Sequence, residues 1–380
     1  MTTSTRDLAA APSAEQVRDF VLGEVEHGWP EVETADAVPT RQVQRLAELG
    51  LLRLTVPREL GGYGLAMPDY QPRLEAAALG PGWLRMLTHV GNGFWRPLVR
   101  FGNAEQRALV PRMAAGETFV AFALTERAGG TGRDLHSRAV RSGSGWRVTG
   151  EKHLITFADR AEHFLLTVAT DDRGAADSLT TFCVPRDTPG LRIDSGQHTM
   201  GLAGTGHGVL AYDDMLIADE CRLGEVGEGL AVGMSFLEYS RVSLATCMVG
   251  LAQRALDESV AYARRRHTFG KPIASRQAVQ VQLAQMRADV AAARALVREA
   301  GRLHGAGELS TGFASTAKLF CQQMVGRVTD RALQVHGGFG YTTDSVVERI
   351  YRDARGFWFE EGTAEIQQLV IARELLAEGT

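Results

Sequence analysis

Two adjacent carboxylates near the end of the chain are the first side chains whose type and position could carry out chemistry. Glu360 and Glu361 follow an aromatic run and directly precede Gly362 and Thr363, where an apolar helical pattern begins. The positive end of that helix would lower the pKa of a nearby carboxyl, whereas burial beside the aromatic rings would raise it. A carboxylate under such opposed influences suits a general base. Two solvated loop acids near a helix start are the alternative interpretation.

The residues after Gly362 predict the helix that positions these carboxylates. Thr363 suits the N-cap, and Glu365 places an acid in the first turn. The apolar residues recur on one face, which we expect to be buried: Ile366, Leu369, Val370 and Leu376. Successive side chains alternate along an extended segment, so we expect Glu360 to point away from Glu361, to the edge of a pocket or a neighbouring surface.

The composition predicts a soluble globular protein of two or three domains, because 44% of the 380 residues are apolar and the formal charge is only -4. This acidic balance, without a long Lys/Arg cluster, argues against nucleic acid or a membrane as partner. The start has no signal-peptide core, so we expect a cytoplasmic protein. The cysteines match no metal-binding spacing, and we expect them to be reduced, buried fillers: Cys183, Cys221, Cys247 and Cys321.

The apolar period changes twice and predicts an α+β multidomain fold. Helical patterns indicate an N-terminal helical domain over residues 1–118, and long helical patterns return in a C-terminal four-helix bundle domain over 229–380. Between them, at 119–228, turn signals separate the β-rich runs WRVTG, HFLLTVAT, LTTFCVP, GLRI and GVLAYDD, which predict a middle β domain. In the bundle, apolar positions alternate steps of four and three and predict a buried seam: Val279, Leu283, Met286, Val290, Ala293 and Val297.

Several segments, taken together and in order, resemble the acyl-CoA dehydrogenase family. They are FALTERAGGTGRD (122–134), GEKHLITFADRAEHFLL (150–166), ARRRHTFGKPIASRQAVQ (263–280), the run from QVHGG to AREL (334–375), GLLRLTVPRELGGYGL (50–65) and MGLAGTGHGVLAYDDMLI (200–217). The resemblance covers about residues 40–376. It implies the same three-part layout, with FAD between the β domain and the bundle. It also implies a homo-oligomer, a dimer or a tetramer, in which a neighbouring subunit completes the FAD site.

The resemblance further implies which residues bind FAD. Leu124 and Thr125 resemble the segment that meets the flavin pyrimidine, and Thr156 resembles the threonine beside the flavin N5 edge. The pyrophosphate and adenosine of the adjacent subunit's cofactor would be reached by a second set: Arg266, Phe269, Gln277, Gln334, Gly337 and Gly338. The same resemblance adds Thr131, Thr363 and Glu365 to the cofactor-binding residues.

For catalysis, the resemblance implies that Glu361 removes the α-proton of an acyl thioester while the β-hydrogen leaves as hydride to flavin N5. The backbone N–H of Glu361 and a flavin ribityl hydroxyl would stabilise the enolate-like oxygen. Glu238, Arg241 and Gly362 match substrate positions, and Ser240 leaves the alternative base position of some family members empty. The implied partners are an acyl group on coenzyme A or an acyl carrier protein, and an electron-transferring flavoprotein or oxygen as electron acceptor.

The chain departs from the family pattern at positions around this site. Arg127 replaces a proline, and two additional residues precede Asp134, so Thr131 is an approximate match for a serine that touches flavin and thioester. Leu154 stands where a tryptophan is frequent, and Glu360 stands where an aromatic residue is common. Two alternatives remain: a flavin-dependent monooxygenase or oxidase on the same fold, which generally lacks the glutamate, and an inactive binding scaffold.

Overall fold

The computed structural model describes residues 10–129, 135–170 and 178–377, which form a helical part, a β part and a second helical part in that order. A π-helical turn, Val21–Val25, joins the first two helices. The N-terminal helices are α1 (Ala14–Phe20), α2 (Glu26–Ala35), α3 (Thr40–Leu49), α4 (Met67–Ala77), α5 (Gly82–Gly91), α6 (Trp95–Phe101), α7 (Ala104–Arg107) and α8 (Leu109–Ala114).

The middle part is one β-sheet with its own apolar core. Its strands are β1 (Val120–Ala123), β2 (Arg138–Ser142), β3 (Gly145–Ile155), β4 (His163–Ala169), β5 (Leu179–Pro185), β6 (Leu191–Asp194), β7 (Gly208–Ala218) and β8 (Arg222–Leu223). The strand order is β6-β7-β3-β2-β4-β5-β8, and β1 pairs in parallel with β4. The β-rich runs of the sequence lie in β3 to β7, where alternation places Trp146 and Val148 inside and Arg147 outside.

The C-terminal part is a helical bundle, as the sequence predicts. Its helices are α9 (Gly229–Arg265), α10 (Gln277–Ala306), α11 (Thr311–His336), α12 (Val346–Gly356) and α13 (Ala364–Ala377), and a short hairpin of β9 (His267–Thr268) and β10 (Lys271–Pro272) follows α9. Four residues of the predicted α10 seam, from Met286 to Val297, are buried, while Val279 and Leu283 are half-buried. Within the described ranges, no helix has the length and apolar content needed to cross a membrane.

The last helix does not bury the stripe that the sequence predicts. Thr363 takes the N-cap position, and its carbonyl accepts a hydrogen bond from the Gln367 N–H at 3.1 Å. However, Leu369 is 50% exposed and Leu376 is 79% exposed, and the fully buried residue of α13 is the polar Gln367. Ile366 and Val370 are half-buried, and no described element of the same chain fully covers the leucines. Exposed apolar faces of this kind are typical of contacts between proteins.

A single buried carboxylate connects all three parts of the chain. Asp353 on α12 is 1% exposed, and its two oxygens accept hydrogen bonds from the Gly82 N–H at 2.9 Å and the Leu202 N–H at 2.7 Å. Burial raises the pKa of the Asp353 carboxyl, and the Leu202 N–H opposes this rise. A side chain at Gly82 would bring its Cβ within 2.5 Å of a Leu202 methyl carbon, so glycine permits this close approach.

We expect Asp353→Asn to lower the free energy of unfolding by about 1–3 kcal/mol, because its amide NH2 would face one of the two buried N–H donors. The measurement is thermal and urea unfolding of the protein. The matched control is Glu31→Gln, which alters an exposed ion pair with Arg41 and should change stability little. Equal stability of Asp353→Asn and the unmodified protein would contradict this role of Asp353.

Candidate active site

Glu361 lies in the loop between α12 and α13, in a backbone conformation that side chains rarely adopt. Its φ is +52° and that of Gly362 is +90°, so two consecutive residues occupy the left-handed region. For a residue other than glycine this conformation costs about 1–2 kcal/mol, which the surrounding contacts must offset. Left-handed residues held in this way are concentrated at functional sites.

The environment of the Glu361 side chain is suited to proton transfer near neutral pH. Burial raises the pKa of the Glu361 carboxyl to about 7; Lys318, Arg241 and a hydrogen bond with the Ser240 hydroxyl oppose this rise, while Glu360 adds to it. The residue itself is half-buried. A carboxyl whose pKa lies near the working pH combines a useful ionised fraction with a useful affinity for the proton.

Lys318 on α11 lies below this loop and is fully buried. Its Nζ donates to the carbonyl oxygens of Glu360, Glu361 and Gly362, at 3.0 Å for Glu361 and 2.6 Å for Gly362. Burial lowers the pKa of Lys318 to about 8, and the negative charges of Glu361 and Glu360 oppose this change. The ammonium therefore remains largely protonated at neutral pH.

The neighbouring Glu360 is directed inward rather than to a pocket edge or surface. Its carboxylate forms two hydrogen bonds with Arg85 of α5, Nη2 to Oε1 at 2.7 Å and Nη1 to Oε2 at 2.9 Å, and the two side chains are 14% and 1% exposed. The Arg85 guanidinium also stacks over the Phe357 ring, with 3.9 Å between Cζ and the ring centroid. The expected alternation does not apply, because residues 357–361 form turns instead of an extended segment.

Helix α9 supplies the other side of the site. Ser240 is buried, and its Oγ lies 3.3 Å from the Nε2 of His89. Burial lowers the pKa of His89 to about 3. Arg241 is 5% exposed, and within the described part of the chain its Nε and Nη1 have no hydrogen-bond partner. Burial lowers the pKa of Arg241, while Glu361 and the exposed Glu238 oppose this change. The unpaired donors of Arg241 can bind a carbonyl or an anionic group.

The residues expected to face a flavin lie together in the β part. Leu124 and Thr125 follow β1, where the Lys152 Nζ donates to the Leu124 carbonyl at 2.9 Å and the His153 N–H donates to the Thr125 carbonyl at 2.8 Å. Thr156 directly follows β3, and its Oγ1 lies 3.4 Å from the His207 Nε2. Thr131, the approximate match, lies outside the described residues.

Four of the six residues expected to reach a second subunit's cofactor line a cleft of about 760 Å³ between the end of α9 and the end of α11. Arg266, Gln334, Gly337 and Gly338 line it. A Cβ on Gly337 or Gly338 would meet nothing within 4 Å, so bare backbone faces open space there. Phe269, which is 96% exposed, and Gln277 are close in sequence to residues that line the cleft but do not line it themselves.

Sequence reasoning did not single out some polar residues of the site: Arg85, His89, His207 and Lys318. A signal was present for two of them. Lys318 lies at helical spacing between the buried Ala314 and Cys321, and Arg85 lies in a run that is buried from Gly82 to Val90. A charged residue on an apolar face requires a buried partner, which is the pattern to search for. His89 lies in the same run, but a histidine can be neutral and then needs no charged partner, and His207 carried no comparable signal.

Known proteins resemble this chain along nearly its whole length. The family models of the acyl-CoA dehydrogenase N-terminal, middle and C-terminal domains match residues 12–117, 121–215 and 227–376. The probable acyl-CoA dehydrogenase YngJ of Bacillus subtilis (strain 168) is 36% identical over 368 residues, which are 95% of this chain and 96% of that protein.

Solved structures agree with the observed fold. The butyryl-CoA dehydrogenase of Megasphaera elsdenii has a TM-score of 0.90 at 26% identity and covers 98% of this chain and 100% of its own. The prolyl acyl carrier protein oxidase AnaB has a TM-score of 0.89 at 27% identity, covering 95% and 97%. A glutaryl-CoA dehydrogenase of Mycobacterium smegmatis, solved with FADH2, has a TM-score of 0.90 at 25% identity, covering 97% and 94%. This chain therefore belongs to the acyl-CoA dehydrogenase family, whose members are FAD-dependent oxidoreductases acting on CH–CH bonds.

Proposed function

We propose that the protein dehydrogenates an acyl thioester between its α and β carbons, with Glu361 as the general base. The observation that carries the proposal is the state of Glu361: a half-buried carboxyl, with a pKa raised to about 7, in a left-handed loop beside the unpaired donors of Arg241. An inactive scaffold would have no need for this costly arrangement.

The thioester carbonyl acidifies the hydrogens on its α carbon, so a carboxylate of modest basicity can remove one of them. Glu361 accepts this proton, and the electron pair of the broken C–H bond delocalises toward the thioester oxygen. When bound, FAD supplies the acceptor for the β-hydride. The Ser240 hydroxyl, on the neighbouring helix, lowers the pKa of the Glu361 carboxyl and so favours its ionised form.

The residues present fit an FAD molecule. On the flavin side, Leu124, Thr125 and Thr156 would meet the ring system, joined by Thr131 and by Thr363 and Glu365 near the base. On the pyrophosphate side, the open backbone of Gly337 and Gly338 and the guanidinium of Arg266 suit a phosphate, since arginine binds its oxygens in bidentate fashion. Phe269, Gln277 and Gln334 would complete this second set.

Two sets of cofactor residues in different parts of the fold are compatible with an oligomer in which each FAD lies between chains, as the family resemblance implies. The cleft beside Arg266 is lined by residues of the bundle and its hairpin, whereas Thr125 and Thr156 belong to the β part. The exposed leucines of α13 provide apolar surface for the same association. We infer a homo-oligomer, a dimer or a tetramer.

The acyl group is carried by coenzyme A or by an acyl carrier protein, with Glu238, Arg241 and Gly362 on the substrate side of the base. Both carriers are represented among the similar structures, in a butyryl-CoA dehydrogenase and a prolyl acyl carrier protein oxidase. We expect the electrons to pass to an electron-transferring flavoprotein or to oxygen. The inward Glu360 and its buried partner Arg85 make the surroundings of the base more polar than an aromatic residue would.

We expect Glu361→Gln to slow flavin reduction by roughly a hundredfold or more while keeping the fold and FAD, because the amide has nearly the same shape but accepts no proton. The measurement is anaerobic, single-turnover bleaching of the flavin with a panel of thioesters, beginning with butyryl-CoA and including acyl carrier protein thioesters. The matched control is Glu360→Gln, which should lose much less.

Different outcomes separate the alternatives. Reduction at a normal rate by Glu361→Gln, with a large loss in Glu360→Gln, would move the base to Glu360. Normal reduction by both variants would contradict the dehydrogenase mechanism and favour oxygen activation on the same fold. Folded protein that stays colourless when purified with FAD would favour a binding scaffold.

The rate of flavin reduction should follow a bell-shaped dependence on pH. It rises as Glu361 loses its proton near pH 7 and falls as Lys318 loses its proton near pH 8, because the reaction needs an ionised base and a charged ammonium beneath it. In Glu360→Gln the acid limb should shift to lower pH, since a negative charge that raises the pKa of Glu361 has been removed. A rate independent of pH from 6 to 9, the range about these two pKa values, would contradict this reading.

Light scattering should show a dimer or tetramer that carries FAD, because we expect the cleft beside Arg266 to receive the cofactor of a neighbouring chain. Arg266→Met should lower FAD occupancy without changing the oligomeric state, since Arg266 lines the cleft. Arg264→Met is the matched control, because Arg264 is exposed but does not line it. A monomer that holds FAD at full occupancy would exclude this arrangement.

A further inference from the structure

Lys318 binds backbone rather than a carboxylate. An ammonium has three donors, and those of Lys318 are taken by three consecutive carbonyl oxygens, from Glu360 to Gly362. Among the described residues, no carboxylate oxygen lies within ion-pair distance of its Nζ, although Glu360 and Glu361 are both close in sequence to the contacted atoms. A fully buried cation used in this way acts on the conformation and polarity of the loop.

One of the contacted carbonyls belongs to the peptide group that carries the Glu361 N–H. A trans peptide is planar, so its C=O and N–H point in opposite directions. Holding the Glu360 oxygen on Lys318 therefore directs the Glu361 N–H away from α11 and outward from the loop. In the described part of the chain this N–H donates to no protein acceptor.

A positive charge on the carbonyl also strengthens the N–H as a donor, because hydrogen bonds at the two ends of a peptide polarise one another. Gln367 contributes to the same loop, with its Nε2 at 3.3 Å from the Glu361 oxygen and 3.2 Å from the Gly362 oxygen. The Glu360 oxygen, however, is contacted only by Lys318 among the described side chains. Among the described side chains, Lys318 is therefore the one that holds the peptide group carrying the Glu361 N–H.

We propose that Lys318 is a positioning residue for the reaction, which holds and polarises the Glu360–Glu361 peptide so that its N–H binds the thioester oxygen. The inference rests on the proposed function of Glu361. As the α C–H bond breaks, the proton passes to the Glu361 carboxylate and the electron pair moves toward the thioester oxygen. That oxygen gains charge in the transition state, where a pre-oriented donor stabilises it most.

The first measurement reports the polarised carbonyl without turnover. In a Glu361→Gln background, which keeps the backbone N–H, the infrared stretch of butyryl-CoA labelled with ¹³C at its thioester carbonyl should move to lower frequency on binding. Adding Lys318→Met should remove at least half of that shift. Gln322→Met is the matched control, because Gln322 lies one turn along α11 and its Nε2 donates to the Phe357 carbonyl at 3.1 Å, outside the Glu360–Glu361 peptide.

The second measurement is the rate of flavin reduction with Glu361 intact. Lys318→Met should lower the limiting rate at least about tenfold, less than the loss of a whole oxyanion donor, with little change in the thioester concentration for half-maximal rate. Its alkaline limb in the pH profile should disappear. If Lys318→Met does not fold, Lys318→Gln serves in its place, since a neutral amide reaches at most two carbonyls and brings no charge.

The outcomes separate a failure of the proposed role of Lys318 from a failure of the proposed role of Glu361. A normal rate in Glu361→Gln would overturn the assignment of the base. A slow Glu361→Gln, together with a Lys318 variant that matches Gln322→Met in both carbonyl stretch and limiting rate, would overturn the role of Lys318 alone.

Discussion

Burying two adjacent carboxylates requires positive charge close by, and this requirement governs the interior around residues 360–362. An uncompensated buried charge is costly, and the net benefit of a pair depends on good geometry and further hydrogen bonds. Arg85 meets both oxygens of Glu360, while Lys318 and Arg241 lower the free energy of the ionised Glu361 from two sides. The three cations come from α5, α11 and α9, so these helices must converge on one loop. The packing of these helices therefore also determines the electrostatics of the site.

The two glutamates are adjacent, but their carboxylates differ in how strongly they are paired with a cation. The Glu360 carboxylate is paired with Arg85, whereas no described residue forms an ion pair with the Glu361 carboxylate, whose pKa is raised to about 7. A proton acceptor needs this lesser commitment, because a carboxylate locked in a bidentate pair would hold its ionised form too strongly. The loop directs the two side chains differently because it turns over residues 357–361 and enters the left-handed region at Glu361.

Sequence reasoning succeeded where a local pattern is sufficient. The β-rich runs form strands β3 to β7: buried and exposed residues alternate in part of β3, whereas β4 and β5 are buried almost throughout. The α10 seam from Met286 to Val297 is buried because its spacing matches a helix. The sequence-based predictions were wrong where a residue's structural partner is distant in sequence or is not part of the described chain. The α13 leucines are not fully covered by any of the described residues, and Glu360 turns inward because Arg85, 275 residues earlier, receives it. The hydrogen bonds from Lys318 to three backbone carbonyls likewise depend on a fold that no local pattern reveals.

The carboxylate of Asp353 has a consequence for motion. Rotating the N-terminal part against α12 would break its hydrogen bond to Gly82, and rotating the β part would break the one to Leu202; either change would leave buried polar groups without partners. The close approach at Gly82 leaves no room for the chains to slide past each other instead. Hinge or shear closure of one domain over another is thus suppressed at this junction. Some enzymes select their substrates by closing a domain around them. Here, selection among substrates must instead depend on the shape of the free protein and on local adjustments of loops and side chains.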